Sequence, residues 1–502
     1  MVKKEKQNLS LRPPVVVVLG HVDHGKSSLL EAIKDFKITA KESGGITQHV
    51  GAYEVEYNGK KITFIDTPGH EAFSAIRARG ASIADIAILV IDAADAVQPQ
   101  TKEAITVIKK AEIPMIVVLN KMDKPTADPE KIKRELSKID VIVESMGGKI
   151  PSIEVSAKAK QGINDLLELI LLVAEMADLK VDTKSSAEGV VIESYLDRFK
   201  GPVATLIVTN GILNKKDIIG TSSIVAKVKN LEDFLGESIE KAYPSQPVII
   251  LGCESCPGVG EKFKQYLTVE EAQANVEKME EKKEIVPPVI AVEPGQKVLN
   301  IILKADVSGS LEAIVDVLKN LPQDKVILRI LKGENGDVNG SDVKLAEMSN
   351  GQIIGFRVKV SPSVLEGLKR VREKRVRIKT FDVIYDLVQE VRQTMEKSLE
   401  PEVVRQDIGK VRTLVVFWGE KNRQIVGGKV TEGELRKGLK IEVFREKEKV
   451  GEGKIINLQR NKKDVEKLIK GDECGILFEG NTKIQEGDIL VFYIEERRKG
   501  EL

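Results

Sequence analysis

With 502 residues, 42% hydrophobic and 31% charged, the chain has the makeup of a globular protein of roughly three or four domains. Three cysteines exclude a disulfide scaffold and point to an intracellular protein, and no apolar run approaches the ~20 residues that cross a bilayer. The net charge of +1 excludes a protein held to nucleic acid by its overall field, so any such partner has to be met by local patches.

Residues 1–11 read as a short basic tail without the apolar centre of a signal peptide. From 12 to 180, aliphatic runs at 15–19, 62–65, 86–91, 115–119 and 153–155 alternate with amphipathic patterns at 28–36 and 161–177, which predicts a parallel sheet with helices on both faces. Tyr53, Val55 and Tyr57 alternate up to Asn58-Gly59, and Ile62 and Phe64 follow, which predicts a hairpin and an antiparallel edge strand. Residues 185–268 are short β-rich runs between Gly, Pro and Asn, the texture of a β-barrel. Thr268-Val269-Glu270-Glu271 opens a charged linker helix to about Lys283, and Pro287-Pro288 stops it. Residues 295–383 return to alternation, with four strands and three helices in an α/β/α layer domain. A helix over 384–400 with apolar Ile384, Leu387, Val388, Val391 and Met395 connects to a second barrel at 401–502, whose end at Arg497-Arg498-Lys499 is expected to fray.

All four histidines fall at 21, 24, 49 and 70, among the motifs that carry chemistry. Gly20-His21-Val22-Asp23-His24-Gly25-Lys26-Ser27-Ser28 follows a strand and opens a helix, as a phosphate-binding loop requires. Backbone N–H groups and the helix N-terminus would face the phosphates, Lys26 would reach the β- and γ-phosphates, and Ser27 would ligate Mg²⁺. Asp66-Thr67-Pro68-Gly69 ends the second strand of this sheet. An acid there suits a water-mediated Mg²⁺ contact, and Gly69 suits a backbone N–H to the γ-phosphate. Asn120-Lys121-Met122-Asp123 ends the strand 115–119. Guanine presents its N1–H and its exocyclic amine side by side, and the one carboxylate of Asp123 can accept both, whereas adenine lacks that pair. Ser156-Ala157-Lys158 ends the next strand and backs the base. These motifs predict a GTP/GDP site and speak against an ATP-using P-loop transferase.

Their order resembles the translational GTPases. Gly44-Gly45-Ile46-Thr47-Gln48-His49-Val50-Gly51-Ala52-Tyr53, Asp66-Thr67-Pro68-Gly69-His70-Glu71-Ala72-Phe73, Arg77-Ala78-Arg79-Gly80-Ala81, Pro99-Gln100-Thr101 and Ala305-Asp306-Val307-Ser308-Gly309-Ser310 resemble the bacterial translation initiation factor two family, over about residues 12–495. The resemblance implies a cytoplasmic, monomeric GTPase that brings formylmethionyl initiator tRNA to the small ribosomal subunit, touches ribosomal RNA and promotes joining of the large subunit, with no membrane partner. It implies that Thr47 closes over Mg²⁺ and the γ-phosphate, that His70 is the catalytic residue that orients the attacking water, and that Asp23 helps to bind a monovalent cation. His21 and His24 are expected to hold the loop in shape through hydrogen bonds to backbone, and His49 to belong to the first switch. Arg77 and Arg79, one to two turns beyond His70, are not placed as an arginine finger, so intrinsic hydrolysis is expected to be slow until the ribosome completes the alignment. The longer N-terminal region of many relatives, with its small-subunit anchoring, is expected to be absent. An elongation-type or selenocysteine-tRNA GTPase and a nucleotide-gated RNA-binding scaffold are the alternatives.

The same resemblance implies that the last barrel holds the acceptor end of the tRNA through Arg460, Lys462, Glu473, Cys474 and Gly475. Gly428, Gln459 and Asn461 depart from the cysteine, basic residue and aromatic common in relatives. Apolar lining for the methionine side chain is thereby reduced, and looser selectivity for formylmethionine is expected. Cys253-Glu254-Ser255-Cys256 lacks the second ligand pair of a zinc site and reads as two loop thiols. The basic run at 371–379 reads as a solvated face, with ribosomal RNA contact as the alternative.

Overall fold

The computed structural model describes residues 9–34, 51–69, 71–280, 296–362, 364, 376–399, 402–420, 422–446 and 448–498. The chain divides into two compact units, Met1–Gln393 and Thr394–Leu502. Thr47, His49, His70 and most of the basic run at 371–379 lie outside the described residues. Among the described residues, no helix is long and apolar enough to cross a membrane.

The first unit begins with β1 (Leu9–Leu11), β2 (Val15–Gly20), α1 (Lys26–Lys34), β3 (Gly51–Tyr57), β4 (Lys60–Asp66), α2 (Ser74–Ile83), β5 (Ile86–Asp92), α3 (Pro99–Ala111), β6 (Met115–Asn120), α4 (Pro129–Ser137), β7 (Ser152–Glu154), α5 (Ile163–Met176) and β8 (Lys180–Asp182). A six-stranded sheet runs β3-β4-β2-β5-β6-β7, parallel except for β3, which pairs antiparallel with β4 around Asn58-Gly59 as the sequence predicts. Every residue of β2, β5 and β6 is buried, because helices cover both faces of the parallel strands. On α5 the stripe Ile163, Leu166, Leu167, Ile170 and Ala174 is buried. Pro129 at the first turn of α4, with Asp128 accepting from the Lys131 N–H at 2.9 Å, shows why that helix starts where it does.

Part of the expected N-terminal tail is structured. β1 pairs antiparallel with β8. Arg12 then grips Asp85 with two 2.6 Å hydrogen bonds and reaches Ser245 Oγ at 3.1 Å. The apolar Leu9 and Leu11 have strand partners available at 180–182, a pairing between distant segments that local pattern does not reveal.

The next layer comprises β9 (Glu188–Asp197), β10 (Gly201–Asn210), β11 (Leu213–Asn214), β12 (Ile218–Gly220), β13 (Val225–Glu232), β14 (Ser238–Ile239), β15 (Lys241–Ala242), β16 (Pro247–Cys253) and β17 (Lys262–Tyr266). The path β12-β17-β9-β10-β16-β13 closes through β12–β13 pairing into a six-stranded barrel. α6 (Val269–Glu280) follows, and Thr268 Oγ accepts from the Glu271 N–H at 3.3 Å, the forward half of the expected capping box. β18 (Lys297–Ala305), α7 (Ser308–Lys319), β19 (Val326–Asn335), α8 (Gly340–Ser349), β20 (Gln352–Phe356) and β21 (Arg377–Phe381) build a parallel sheet in the order β19-β18-β20-β21. The third helix expected there falls outside the described residues. α9 (Ile384–Ser398) carries buried Ile384, Leu387, Val391 and Met395 at helical spacing.

These layers are tied within the unit by specific bonds. The α7 N-terminus meets the barrel, where Gly309 N–H donates to Glu193 Oε1 at 3.1 Å and the Ser194 and Ser308 hydroxyls lie 2.7 Å apart. Arg79 of α2 pairs with Glu312 of α7.

The second unit comprises β22 (Glu402–Glu420), β23 (Arg423–Arg436), β24 (Lys440–Arg445), β25 (Glu448–Arg460), β26 (Lys463–Asp464), β27 (Lys467–Ile469), β28 (Glu473–Gly480) and β29 (Ile489–Arg498). The order β22-β29-β24-β25-β28-β23 closes through β22–β23 pairing, and Val411, Val426, Ile441, Leu458, Ile476, Phe478 and Phe492 fill its core. Arg497 and Arg498 are not frayed. They pair with Val403 and Glu402 in the β22–β29 ladder, whose length carries these charged residues along with it.

Candidate guanine-nucleotide site

The motif residues converge at the C-terminal ends of β2, β4, β6 and β7, the edge at which parallel α/β sheets bind ligands. Gly20 ends β2, and His21 to Gly25 form the loop before α1. Lys26, Ser27 and Ser28 make the first turn of that helix, and Asp66 ends β4 before Thr67, Pro68 and Gly69. Asn120 ends β6 before Lys121, Met122 and Asp123, and Ser156, Ala157 and Lys158 follow β7.

The base end is wired together. Asn120 Nδ2 donates to His24 O at 3.0 Å, and its Oδ1 accepts from the Ala157 N–H at 3.1 Å, so one buried amide joins the phosphate loop to the Ser156-Ala157-Lys158 turn. Gly25 has φ +90°, and a Cβ there would stand 2.4 Å from Asn120 Nδ2, so the contact needs glycine. Ser156 Oγ donates to Asp123 Oδ1 at 2.6 Å, and this bond first of all holds the Asp123 carboxyl below its ordinary range. Lys121 has φ +65° and donates to Asp23 O while pairing with Asp92 at 3.0 Å. Lys124 reaches the same Asp92 oxygen at 2.9 Å. Burial raises the Asp92 carboxyl, but these ammonium groups and the Ala94 N–H outweigh it and bring it down. A cavity of about 660 Å³ opens here, lined by Gly25, Ser28, Asn120, Lys121, Asp123 and Lys158 among others.

The phosphate end is occupied by its own groups. Lys26 Nζ donates to Gly20 O at 2.9 Å and to His21 O at 2.7 Å. Burial lowers its pKa to about 8, against the favourable field of Asp66, while Arg77 adds to the lowering. The Val22 N–H donates to Gln100 Oε1 at 3.1 Å. Asp66 and Thr67 are fully buried, and Thr67 Oγ donates to Val18 O at 2.9 Å.

The two loop histidines share one crowded space. His21 and His24 pack edge to face with centroids 4.9 Å apart. His24 is 2% exposed, and its Nε2 stands 3.7 Å from Asp95 Oδ2. Burial, then His21 and Lys26, push its pKa down to about 4. A neutral ring fits this crowded space.

Sequence reasoning missed three members of the site. Gln100, on the first turn of α3, binds the phosphate loop. Glu103, three residues on, pairs at 2.6 Å with Arg77, whose other end donates to Pro68 O at 3.1 Å. Asp92 anchors both lysines of the base turn. Pro99, at the start of α3, was the available signal that Gln100 opens a helix beside the loop. Arg77 is therefore a buried brace of the Pro68-Gly69 turn.

Residues 12–176 match the elongation factor Tu GTP binding domain, 186–266 elongation factor G domain 2, 270–392 translation-initiation factor 2 and 423–491 elongation factor Tu domain 2. Translation initiation factor IF-2 of Dehalococcoides mccartyi is 42% identical over 99% of this chain and 84% of its own length. The chain belongs to the translation initiation factor IF-2 family. Its counterpart in Pelotomaculum thermopropionicum is 44% identical over 99% of this chain, which spans about half (52%) of that relative's length. A GDP-bound archaeal aIF5B from Aeropyrum pernix is 28% identical, with 96% of this chain and 92% of that one covered at a TM-score of 0.48.

In this IF-2 family member the residues matched for tRNA lie on the second barrel. Asn461 and Lys462 have φ of +52° and +61° and join β25 to β26 as a two-residue turn, a conformation that suits Asn. Arg460 pairs with Asp472 at 3.1 Å, and Glu473 is exposed. Cys474 is turned into the barrel core, where its thiol donates to Gly428 O at 3.2 Å and burial pushes its pKa up to about 12. It packs and cannot line an outer ligand face. Gly428 is buried too, and a Cβ there would meet Arg412 O at 2.6 Å. Cys253 is buried, and no group of three or more His, Cys, Asp or Glu poised for a metal occurs among the described residues.

Proposed function

We propose that the chain binds GTP and GDP with Mg²⁺, places formylmethionyl initiator tRNA on the small ribosomal subunit, and promotes joining of the large subunit while hydrolysing GTP on the assembled ribosome in the cytoplasm. The observation that carries the nucleotide reading is the Asn120–Ala157 and Asp123–Ser156 pairing, which leaves an ionised carboxylate at the rim of a cavity beside the phosphate loop. That is the chemistry guanine requires.

Ser27 and Asp66 offer hard oxygens beside Lys26, the donor type Mg²⁺ takes, and Thr47 is the third ligand implied by the motif. Bound there, the ion would neutralise charge on the phosphates. Lys26 would exchange its two loop carbonyls for phosphate oxygens. Arg77 and Glu103 would hold the Pro68-Gly69 turn so that the Gly69 N–H faces the terminal phosphate, and His70 would orient water. Asp23 O is already engaged by Lys121, so a monovalent cation there would have to displace an ammonium group.

The test is GTP hydrolysis by the chain alone, with ribosomal subunits, and with subunits plus initiator tRNA. Slow turnover alone and strong stimulation by both subunits is the expected result; turnover indifferent to ribosomes would refute the reading.

A further inference from the structure

Ser74 opens α2 without capping it. Phe73 stands at the cap position and makes no side-chain cap bond, the task that a serine near a helix start usually takes. The Ser74 hydroxyl donates across to α3 instead, reaching Glu103 Oε1 at 2.6 Å. The same oxygen accepts from Arg77 Nη2 at 2.6 Å, and Arg77 Nη1 donates to Pro68 O at 3.1 Å. An unbroken run of hydrogen bonds thus joins an exposed hydroxyl to the peptide between Pro68 and Gly69. Its members are held unequally. Arg77 is 1% exposed, whereas the Glu103 side chain is 29% exposed. A buried guanidinium is costly without its counter-charge, but a partly exposed glutamate has other rotamers and water available to it. The Ser74 hydroxyl restrains that carboxylate from the solvent side.

What the run controls follows from the peptide at its end. The Pro68 carbonyl and the Gly69 N–H belong to one planar trans unit and point opposite ways. A bond that fixes the carbonyl therefore fixes the direction of the N–H. Gly69 lies beside the phosphate loop, where a Cβ on it would stand 2.3 Å from Lys26 Nζ. Were the peptide to turn over, a carbonyl would face phosphate in place of a donor. We propose that Ser74 is a positioning residue for the terminal phosphate of GTP: its hydroxyl keeps Glu103 on Arg77, Arg77 keeps the Pro68 carbonyl, and the Gly69 N–H stays aimed at the third phosphate. This rests on reading the site as one for guanine nucleotides. GDP has no phosphate at that place, so the network favours GTP over GDP and does not strengthen binding in general. A purely structural role for Ser74, holding α2 on α3, would act on both nucleotides alike.

Ser74 lines a cavity of about 700 Å³ between α2, α7 and α9, so a slightly larger side chain has room there. The full chain and its Ser74→Val and Ser74→Thr variants are titrated calorimetrically with GDP and with a non-hydrolysable GTP analogue. Ser74→Val, which removes the hydroxyl, should weaken the GTP analogue about 3- to 10-fold and leave GDP within about twofold. Ser74→Thr, which has the shape of valine but keeps the hydroxyl, should restore the parent ratio. An unchanged ratio of the two affinities in Ser74→Val would overturn the proposal, and so would an equal loss for both nucleotides. Ser74→Thr as weak for the GTP analogue as Ser74→Val would show that bulk and not the hydroxyl matters, and would overturn it too. A parent chain that binds neither nucleotide would instead sink the reading of the site itself, and the proposal with it.

Discussion

The two ends of the nucleotide site differ in readiness. At the base end, Asn120 joins His24 O to the Ala157 N–H, Ser156 holds Asp123, and the cavity is open. At the phosphate end, Lys26 and the Val22 N–H spend their hydrogen bonds on Gly20 O, His21 O and Gln100. A preformed base end selects the nucleotide; a phosphate end that must exchange internal bonds for phosphate oxygens makes the loop sensitive to what it holds.

The largest effect should fall at the phosphate end. With the water-positioning role proposed for it, His70→Ala is expected to keep GTP affinity and lose about 10²–10⁴-fold of ribosome-stimulated hydrolysis. Single-turnover hydrolysis on ribosomes measures it, and wild-type rates would show that another group aligns the water. At the base end, Asp123→Asn removes the acceptor of two guanine donors while its amide oxygen can still accept from Ser156. A loss of about 3 kcal/mol, roughly 100-fold, in GTP affinity is expected, together with a gain for xanthosine triphosphate. Equal loss for both nucleotides would mean that the turn had collapsed.

The ends also part company with pH. Buried His24 has a pKa of about 4 against 6.5 when free, so the folded loop excludes a proton that the unfolded loop takes up. Its contribution is complete above pH 6.5 and is lost as pH falls from there towards 4, by up to about 1.4 kcal/mol per unit. Asp123 and Asp92 are also shifted downward, but for a carboxyl that favours the charged form, so the base end keeps its charges through that window. Hydrogen exchange, corrected for intrinsic rates, should show amides 21–26 losing protection between pH 7 and 5 while amides 120–123 hold theirs. His24→Asn should flatten the first trend; an unchanged slope would place the proton elsewhere.

How much of this was legible in the sequence follows the range of the interactions. Strand order and the phosphate loop announce themselves because period, turn residues and motif spacing are local. The β3–β4 hairpin was readable from the alternation of Tyr53, Val55 and Tyr57 into the Asn58-Gly59 turn, with Ile62 and Phe64 beyond it. The β1–β8 pair, the Arg77–Glu103 brace and the Gln100 bond were not, because each joins segments whose proximity only the tertiary fold decides. Cys474 shows the opposite failure. Its neighbours in the motif were correctly placed on the barrel, but the alternation of β28 turns its side chain inward, and a motif match does not say which face a strand residue takes.

The smallest effect tests the self-occupied phosphate end most directly. If the Val22 N–H must leave Gln100 to meet phosphate, the bond at 3.1 Å stabilises the empty loop alone. Removing it would then favour binding by the net worth of one neutral hydrogen bond, about 1 kcal/mol or roughly fivefold in affinity. Gln100→Ala should therefore tighten both GDP and GTP by that factor, through faster association, because the bond is lost before the nucleotide seats. Pro99 and Thr101 are untouched, so α3 should keep its start. Unchanged affinity in a calorimetric titration would mean that Val22 stays bonded to Gln100 with nucleotide in place, and that only the two carbonyl bonds of Lys26 are exchanged when phosphate arrives.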